Sequence, residues 1–341
     1  MLLNFIFLMK ETDNTISLES NRFISIDVFK GLAIALMVFV NTLTPFEMLP
    51  AWTHHAGEYG ITYVDLVAPF FIFMLALNFT ISFKRRLESS GRRKAYLRHL
   101  RRYLIFIGIG LFLFIDVSES GLILRWGTLQ VLGMSGLFFL PFAEAKSLIK
   151  SIVGSFYVIL HQLLLFTTLN SVIYDSIEGG ILGSLSWGSM MIFSSVIAEG
   201  LKRDIKWKHF LLGGLLFLII GIIASFFWGI SRGYMTLPYI FISVGVSSIL
   251  YYVIYLLFEQ RGRNPTFKNE KILSPSGRNA FILFLLHIIT LYLFYYMIPF
   301  SSILVPEDLK WAVIILVALL NVSIILLIGY LLDKKKIYLT I

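Results

Sequence analysis

The chain alternates between apolar blocks of about twenty residues and short charged connections. That block length is what a helix rising ~1.5 Å per residue needs to cross the ~30 Å hydrocarbon core of a bilayer. The apolar residues sit in continuous blocks rather than in amphipathic stripes, which favours spans over the surface helices of a soluble domain. Only 14% of the 341 residues are charged, against roughly a quarter in soluble domains. The pattern predicts an all-α polytopic membrane bundle of about ten helices. The spans are expected near 26–44, 61–83, 100–116, 122–142, 148–169, 181–201, 209–230, 237–258, 279–298 and 311–332. Pro45, Pro50, Pro141, Pro299 and Pro306 fall at or beyond expected helix ends, where a missing backbone donor is tolerated. Residues 1–21 read as a polar, interfacial stub, because MLLNFIFLMK is too short to span and lacks the basic leader and cleavage site of a signal peptide. Residues 22–341 read as one transmembrane domain, with no visible repeat or second soluble domain.

Lys and Arg alternate from loop to loop. Segment 84–102 holds nine, 201–208 four and 259–278 five, and 26 of the chain's 29 fall on one side of the expected topology. Arg125, Arg232 and Lys310 are the exceptions. By the positive-inside rule this places both termini in the cytoplasm, with the plasma membrane as the expected location. The formal charge of +9 is therefore topological and does not signal nucleic acid. Without cysteine, thiolate catalysis and disulfides are excluded. No Walker motif or arginine ladder appears, so nucleotide-driven transport and voltage sensing are excluded.

A charged side chain near the bilayer centre costs at least ~2.5–3.5 kcal/mol, so each one asks for a partner, a cavity or a function. Asp27, Lys30 and Asn41 in the first span fall within an arc of about 60° on one helix face, and Asp27 and Lys30 can pair as i, i+3 neighbours. The next segment, WTHHAGEYGITYVDLVAPFF, carries His54 and His55 and then Asp65 inside an apolar run. An imidazole held by a carboxylate is a proton-transfer unit that works near neutrality. His54 reads as a solvated loop residue. The spacing fits no metal motif, and no metal is expected. In LILRWGTLQVLG, Arg125 and Gln130 lie ~140° apart around the helix. Asn279 and His287 lie ~80° apart in the ninth span, with His287 near mid-membrane.

Taken in order, these segments resemble the heparan-α-glucosaminide N-acetyltransferase family of transmembrane acetyltransferases. Arg22, Ser25, Asp27, Lys30, Gly31 and Asn41 match its opening pattern. His55, Gly60, Thr62, Asp65, Leu66 and Pro69 match the block that follows. RWGTLQVLG is similar to a third block, with Val131 where that family has arginine, and SRGYMTLPYIFIS and SGRNAFILFLLH resemble later ones. The resemblance implies acetyl transfer from cytoplasmic acetyl-CoA to an amine or hydroxyl, often of a sugar, across the membrane. His55 would then be the catalytic histidine and Asp65 its orienting carboxylate. Asn41, Asp27 and Asn279 would line the acetyl-CoA slot, with Lys30, Arg22, Arg125, Gln130 and His287 as further donor-site residues. It also implies a homodimer, and the large lumenal N-terminal domain of the animal enzymes is expected to be absent.

The residues themselves leave a second class open. Asp27, Lys30, Asp65 and His287 could serve a proton-coupled transporter or a lipid or glycan flippase. No inverted repeat supports it, and the ionisable groups cluster in the first two spans. In the enzyme reading His55 either deprotonates the acceptor or carries the acetyl group itself.

Overall fold

The computed structural model describes residues 23–113, 115–118, 121–124, 126–202, 208–260, 270–297 and 307–339. It is helical throughout, apart from a hairpin of β1 (Ile115–Ser118) and β2 (Gly121–Leu124), paired antiparallel. The helices are α1 (Ile24–Leu43), α2 (Val67–Ser90), α3 (Arg92–Leu113), α4 (Thr128–Phe139), α5 (Ser147–Leu164) and α6 (Leu169–Asp175). They continue with α7 (Gly180–Ala198), α8 (Gly213–Ser225), α9 (Leu237–Tyr255), α10 (Leu273–Arg278), α11 (Ala280–Met297) and α12 (Glu307–Lys334).

Among the described residues seven helical stretches are long and apolar enough to cross a membrane, and two shorter apolar stretches cover Thr128–Phe142 and Ala280–Tyr295. Each expected span contains a helix, but two boundaries move. The span expected from 122 begins as strand, and its helix starts only at Thr128. The charged segment after residue 83 stays helical to Ser90, turns at Gly91 with a φ of 82°, and re-enters helix at Arg92. Lys and Arg are good helix formers, and Lys84 sits 3.8 Å from Glu88 one turn on, so charge alone does not end α2.

The outward surfaces identify the surrounding solvent. On α5, Leu148, Ile152, Phe156, Ile159 and Leu163 are exposed, and α8 buries only Gly214, Gly221 and Ala224 while exposing Leu216, Ile219, Ile222 and Ile223. Water would not tolerate such surfaces over whole helices, whereas lipid does. Inside, α1, α2, α7 and α9 form the core, where Phe29 meets Phe70, Phe73 and Tyr251 edge-on.

α10 is a single short turn seated against α1. The Glu270 carboxylate accepts the Ile272 and Leu273 amides, both at 2.8 Å, which satisfies two otherwise orphaned donors at its start. The approach is so close that a Cβ on Gly31 would strike the Leu273 carbonyl, and one on Gly277 would strike the Asp27 carbonyl. Small residues at such crossings let helix backbones touch. Because the obstructing atoms are backbone, Gly277→Val should destabilise the fold by about 1–3 kcal/mol, the usual range for over-packing. A lower Tm in detergent checks this, with Gly57→Ala, which meets nothing within 4 Å, expected to match wild type.

Candidate functional site

The connection from α1 to α2 is built around Asp65. Its side chain is fully buried, so every lone pair needs a donor. His55 Nδ1 lies 2.7 Å from Oδ1, and the Thr62 and Ala56 amides donate to Oδ2 at 2.8 and 3.2 Å. The Tyr239 hydroxyl donates to the Asp65 carbonyl at 2.7 Å, which ties the turn to α9. An ionised carboxylate only accepts, so His55 donates from Nδ1 and keeps its Nε2 lone pair. The carboxylate thus selects the tautomer and can stabilise the imidazolium if Nε2 takes a proton.

His55 lines a cavity of about 130 Å3 together with Asn41, His287, Thr128, Glu178 and Arg232. Asn41 and His287, 246 residues apart, meet at 3.2 Å between Asn41 Nδ2 and His287 Nε2. His287 Nδ1 lies against the Phe284 carbonyl. Nδ1 is therefore the donor, and Nε2 accepts from the Asn41 amide.

A second cavity, about 240 Å3, lies toward the other end of the bundle. Lys30, Arg102 and Arg278 line it, and no carboxylate does. Lys30 lies 3.4 Å from Asp27, and Arg278 Nε lies 3.0 Å from Asp333. The remaining wall is largely apolar, from Phe71, Met74, Leu75, Phe106 and Phe281. Phe71 and Phe284 line both cavities, with ring centroids 6.0 Å apart in an edge-to-face arrangement. One aromatic pair therefore partitions a basic chamber from a histidine chamber.

The predicted residues divide accordingly. His55, Asn41 and His287 line the first chamber, with Asp65 behind His55, and Lys30 lines the second. Asp27 is buried at the α1–α10 contact beside Lys30. Asn279 lines neither chamber. It sits at the α10–α11 junction, where its Nδ2 donates to the Pro275 carbonyl at 3.3 Å. Gln130 also lines neither; it is buried against Gly110 of α3. Arg22 and Arg125 lie outside the described residues. No cluster of three or more His, Asp or Glu able to hold a metal occurs among the described residues.

Two residues of the His55 chamber were not singled out by the sequence. Glu178 and Arg232 form an ion pair with side-chain exposures of 4% and 22%. Burial opposes the Arg232 charge, but the Glu178 carboxylate, with Tyr239 and Asp65 nearby, overrides it and holds the guanidinium above its ordinary range. Glu178 adopts a left-handed backbone, φ 56° and ψ 28°, as does Met235 with φ 53°. Such non-glycine conformations cost ~1–3 kcal/mol each and persist only where the surroundings enforce them. Here they do. The Ser186 hydroxyl donates to the Met235 carbonyl at 3.0 Å, the Ser231 amide donates to Thr236 Oγ1 at 3.0 Å, and the Gly60 amide donates to the Ile230 carbonyl at 2.7 Å. The last bond joins the Arg232 loop to the His55 loop.

These features define a helical membrane bundle with a histidine–carboxylate site at the end of its first connection. Residues 22–258 match the family model described as Domain of unknown function (DUF5009), so the chain belongs to that family. No curated protein matches the chain.

Removing one member of a buried pair leaves the other uncompensated, at a cost of about 3–5 kcal/mol, whereas replacing both with apolar residues is often near neutral. Arg232→Met should therefore lower the Tm strongly, and Glu178→Met combined with Arg232→Met should recover most of the loss. Thermal unfolding of the two variants beside wild type checks this.

Proposed function

We propose that this protein is a transmembrane acetyltransferase. In this reading it takes the acetyl group of acetyl-CoA on the cytoplasmic side and delivers it to an amine or hydroxyl, of an amino sugar or other glycan, on the outer side. The observation that carries the reading is the pair of chambers joined at Phe71 and Phe284, one basic and one built around His55 and Asp65. Loop charge supports the sidedness, since the basic connections fall at the Lys30 end and the His55 connection at the other. Both termini are then cytoplasmic, in a plasma-membrane protein of about ten spans.

The basic chamber fits the donor chemically. Three cations without a lining carboxylate suit phosphate groups. The apolar wall leading to Phe71 and Phe284 suits a thin, uncharged arm ending in a thioester. At the far end His55 Nε2 accepts the proton of the attacking amine or hydroxyl as that atom bonds to the acyl carbon. The carbon–sulfur bond breaks, and the departing thiolate recovers the proton from His55. Asp65 holds the ring in the tautomer this requires and balances the imidazolium. The Asn41 amide, close to the same cavity, is a donor suited to the developing oxyanion. A carrier route places the acetyl group on His55 Nε2 first, and acetylated protein formed with acetyl-CoA alone distinguishes the two.

With labelled acetyl-CoA and purified protein, His55→Ala should abolish transfer while keeping thermal stabilisation by CoA. Asp65→Asn should lower kcat by roughly 10²–10⁴-fold, the share that acid–base catalysis supplies. Full activity of His55→Ala would remove His55 from the mechanism. Stabilisation by a small solute and not by acetyl-CoA would favour a transporter.

A further inference from the structure

The His55 chamber has a larger neighbour. A groove of about 420 Å3, against about 130 Å3 for the chamber, lies between the Asn41 end of α1, the C-terminal half of α11 and α12. Pro45 and Phe46 line it just past α1, Leu291 and Phe294 line it from α11, and Val317 lines it from α12. No charged residue lines it among the described residues. Thr42 also lines it, but its hydroxyl donates to the Val38 carbonyl at 2.7 Å and accepts from Asn321 Nδ2 at 3.0 Å, so its polarity is spent within the bundle. Tyr292 and Tyr295 stand at its rim, exposed beside the equally exposed Ile289 and Leu293. Tyrosine concentrates where a bilayer meets water, which sets the mouth of the groove at headgroup depth. Asn41 and Ile288 line the groove and the chamber alike.

We infer that the acceptor is lipid-linked, with its apolar chain in this groove and its amino sugar entering the His55 chamber past Asn41 and Ile288. The inference rests on the acetyl-transfer reading and names the acceptor class for it. The apolar lining fits a chain and disfavours a free sugar, whose hydroxyls would lose their water without finding partners. Lipid tails are as apolar as leucine, so the chain gains little affinity by leaving the bilayer for the groove. What it gains is register, because a tethered head is held at the chamber at high effective concentration. The link between chain and sugar falls where the two cavities share a wall. Neither Asn41 nor Ile288 is a cation, and Arg232 of the chamber is engaged by Glu178. An uncharged glycosidic bond suits that position, whereas the phosphate of an ordinary phospholipid would lack a partner. The chemistry is unchanged: the sugar nitrogen bonds to the acetyl carbon, the carbon–sulfur bond breaks, and the amine proton passes through His55 to the thiolate.

The full chain in phosphatidylcholine nanodiscs tests this in two ways. For binding, dodecyl glucosaminide with a diazirine at its chain end and phosphatidylcholine with a diazirine on an acyl chain are photolysed in turn, and the labelled peptides are mapped. The glycoside should label 288–295 and the peptide around Val317 in preference to the exposed faces of α5 and α8, and phosphatidylcholine should show no such preference. For turnover with labelled acetyl-CoA, dodecyl glucosaminide should exceed methyl glucosaminide in kcat/KM by at least about 10²-fold, the low end of what tethering supplies. Val317→Trp fills the groove and should remove most of that advantage, as should Leu291→Trp if Val317→Trp does not fold. Leu316→Trp, on the exposed face of the same helix, should keep it. The dodecyl chain partitions into the disc equally for every variant, so the comparison isolates the groove. Equal groove labelling by both probes, or a dodecyl advantage that survives the groove-filling substitutions, overturns the lipid-linked acceptor. Equal transfer to the two glucosaminides does so as well, and leaves acetyl transfer standing. Preferential groove labelling by the glycoside without transfer to either upholds the lipid-linked ligand and overturns the acetyl-transfer reading instead.

Discussion

Burial of the Asp65 carboxylate is the constraint around which the rest of the site is arranged. A carboxylate with no exposed side-chain surface at the head of an apolar helix must gather donors or forgo its charge. Here the donors come from its own connection, through His55, Ala56 and Thr62. Satisfying Asp65 thereby folds the loop, and folding the loop fixes His55. The Tyr239 hydroxyl and the Gly60 amide then bind this unit to α9 and to the Arg232 loop. The imidazole is oriented by interactions that stability requires in any case.

The second organising fact is helical register. Phe71, Met74, Leu75, Asn78 and Ser82 line the chambers from α2, at the three- and four-residue spacing of one helix face. Lys30, Met37 and Asn41 do the same on α1, and Ala280, Phe281, Phe284, His287 and Ile288 on α11. Eleven residues along a helix is ~16 Å, so α1 brings Lys30 to one chamber and Asn41 to the other, while α2 and α11 line both with mostly apolar side chains. Phe71 and Phe284 stand where the two chambers meet. An aromatic partition is suited to separating two aqueous sides while leaving a path for a slender apolar arm.

Much of this was legible in the chain. Apolar block length announced the bundle, and isolated charge inside apolar runs announced Asp27, Lys30, Asp65 and His287. Asn279 and His287 of the ninth span were expected at the donor site, but the direct pairing of His287 with Asn41 was not, because it depends on tertiary contact across most of the chain. The hairpin at 115–124 was hidden for a related reason. Short apolar runs such as GLIL suit strand and helix alike, and only pairing decides between them. Asn279 had the right polarity for a cavity wall, but the break between α10 and α11 takes it out of line.

Glu178 and Arg232 escaped notice for a reason that carries its own signal. Each read as a connection residue on the acidic side of the topology, where charge needs no explanation. Yet Arg232 was one of only three basic residues on that side, and a lone cation among carboxylates is the residue most apt to find a buried partner. Glu178 stands directly before two glycines, a context in which left-handed backbone is readily reached. Together these features place a buried, strained ion pair at a loop junction, where flexibility would be the default. The strain and the buried charge are costs that neither the helices nor the lipid surface demand. Their presence on the wall that His55 shares is what makes the pair a part of the site rather than of the scaffold.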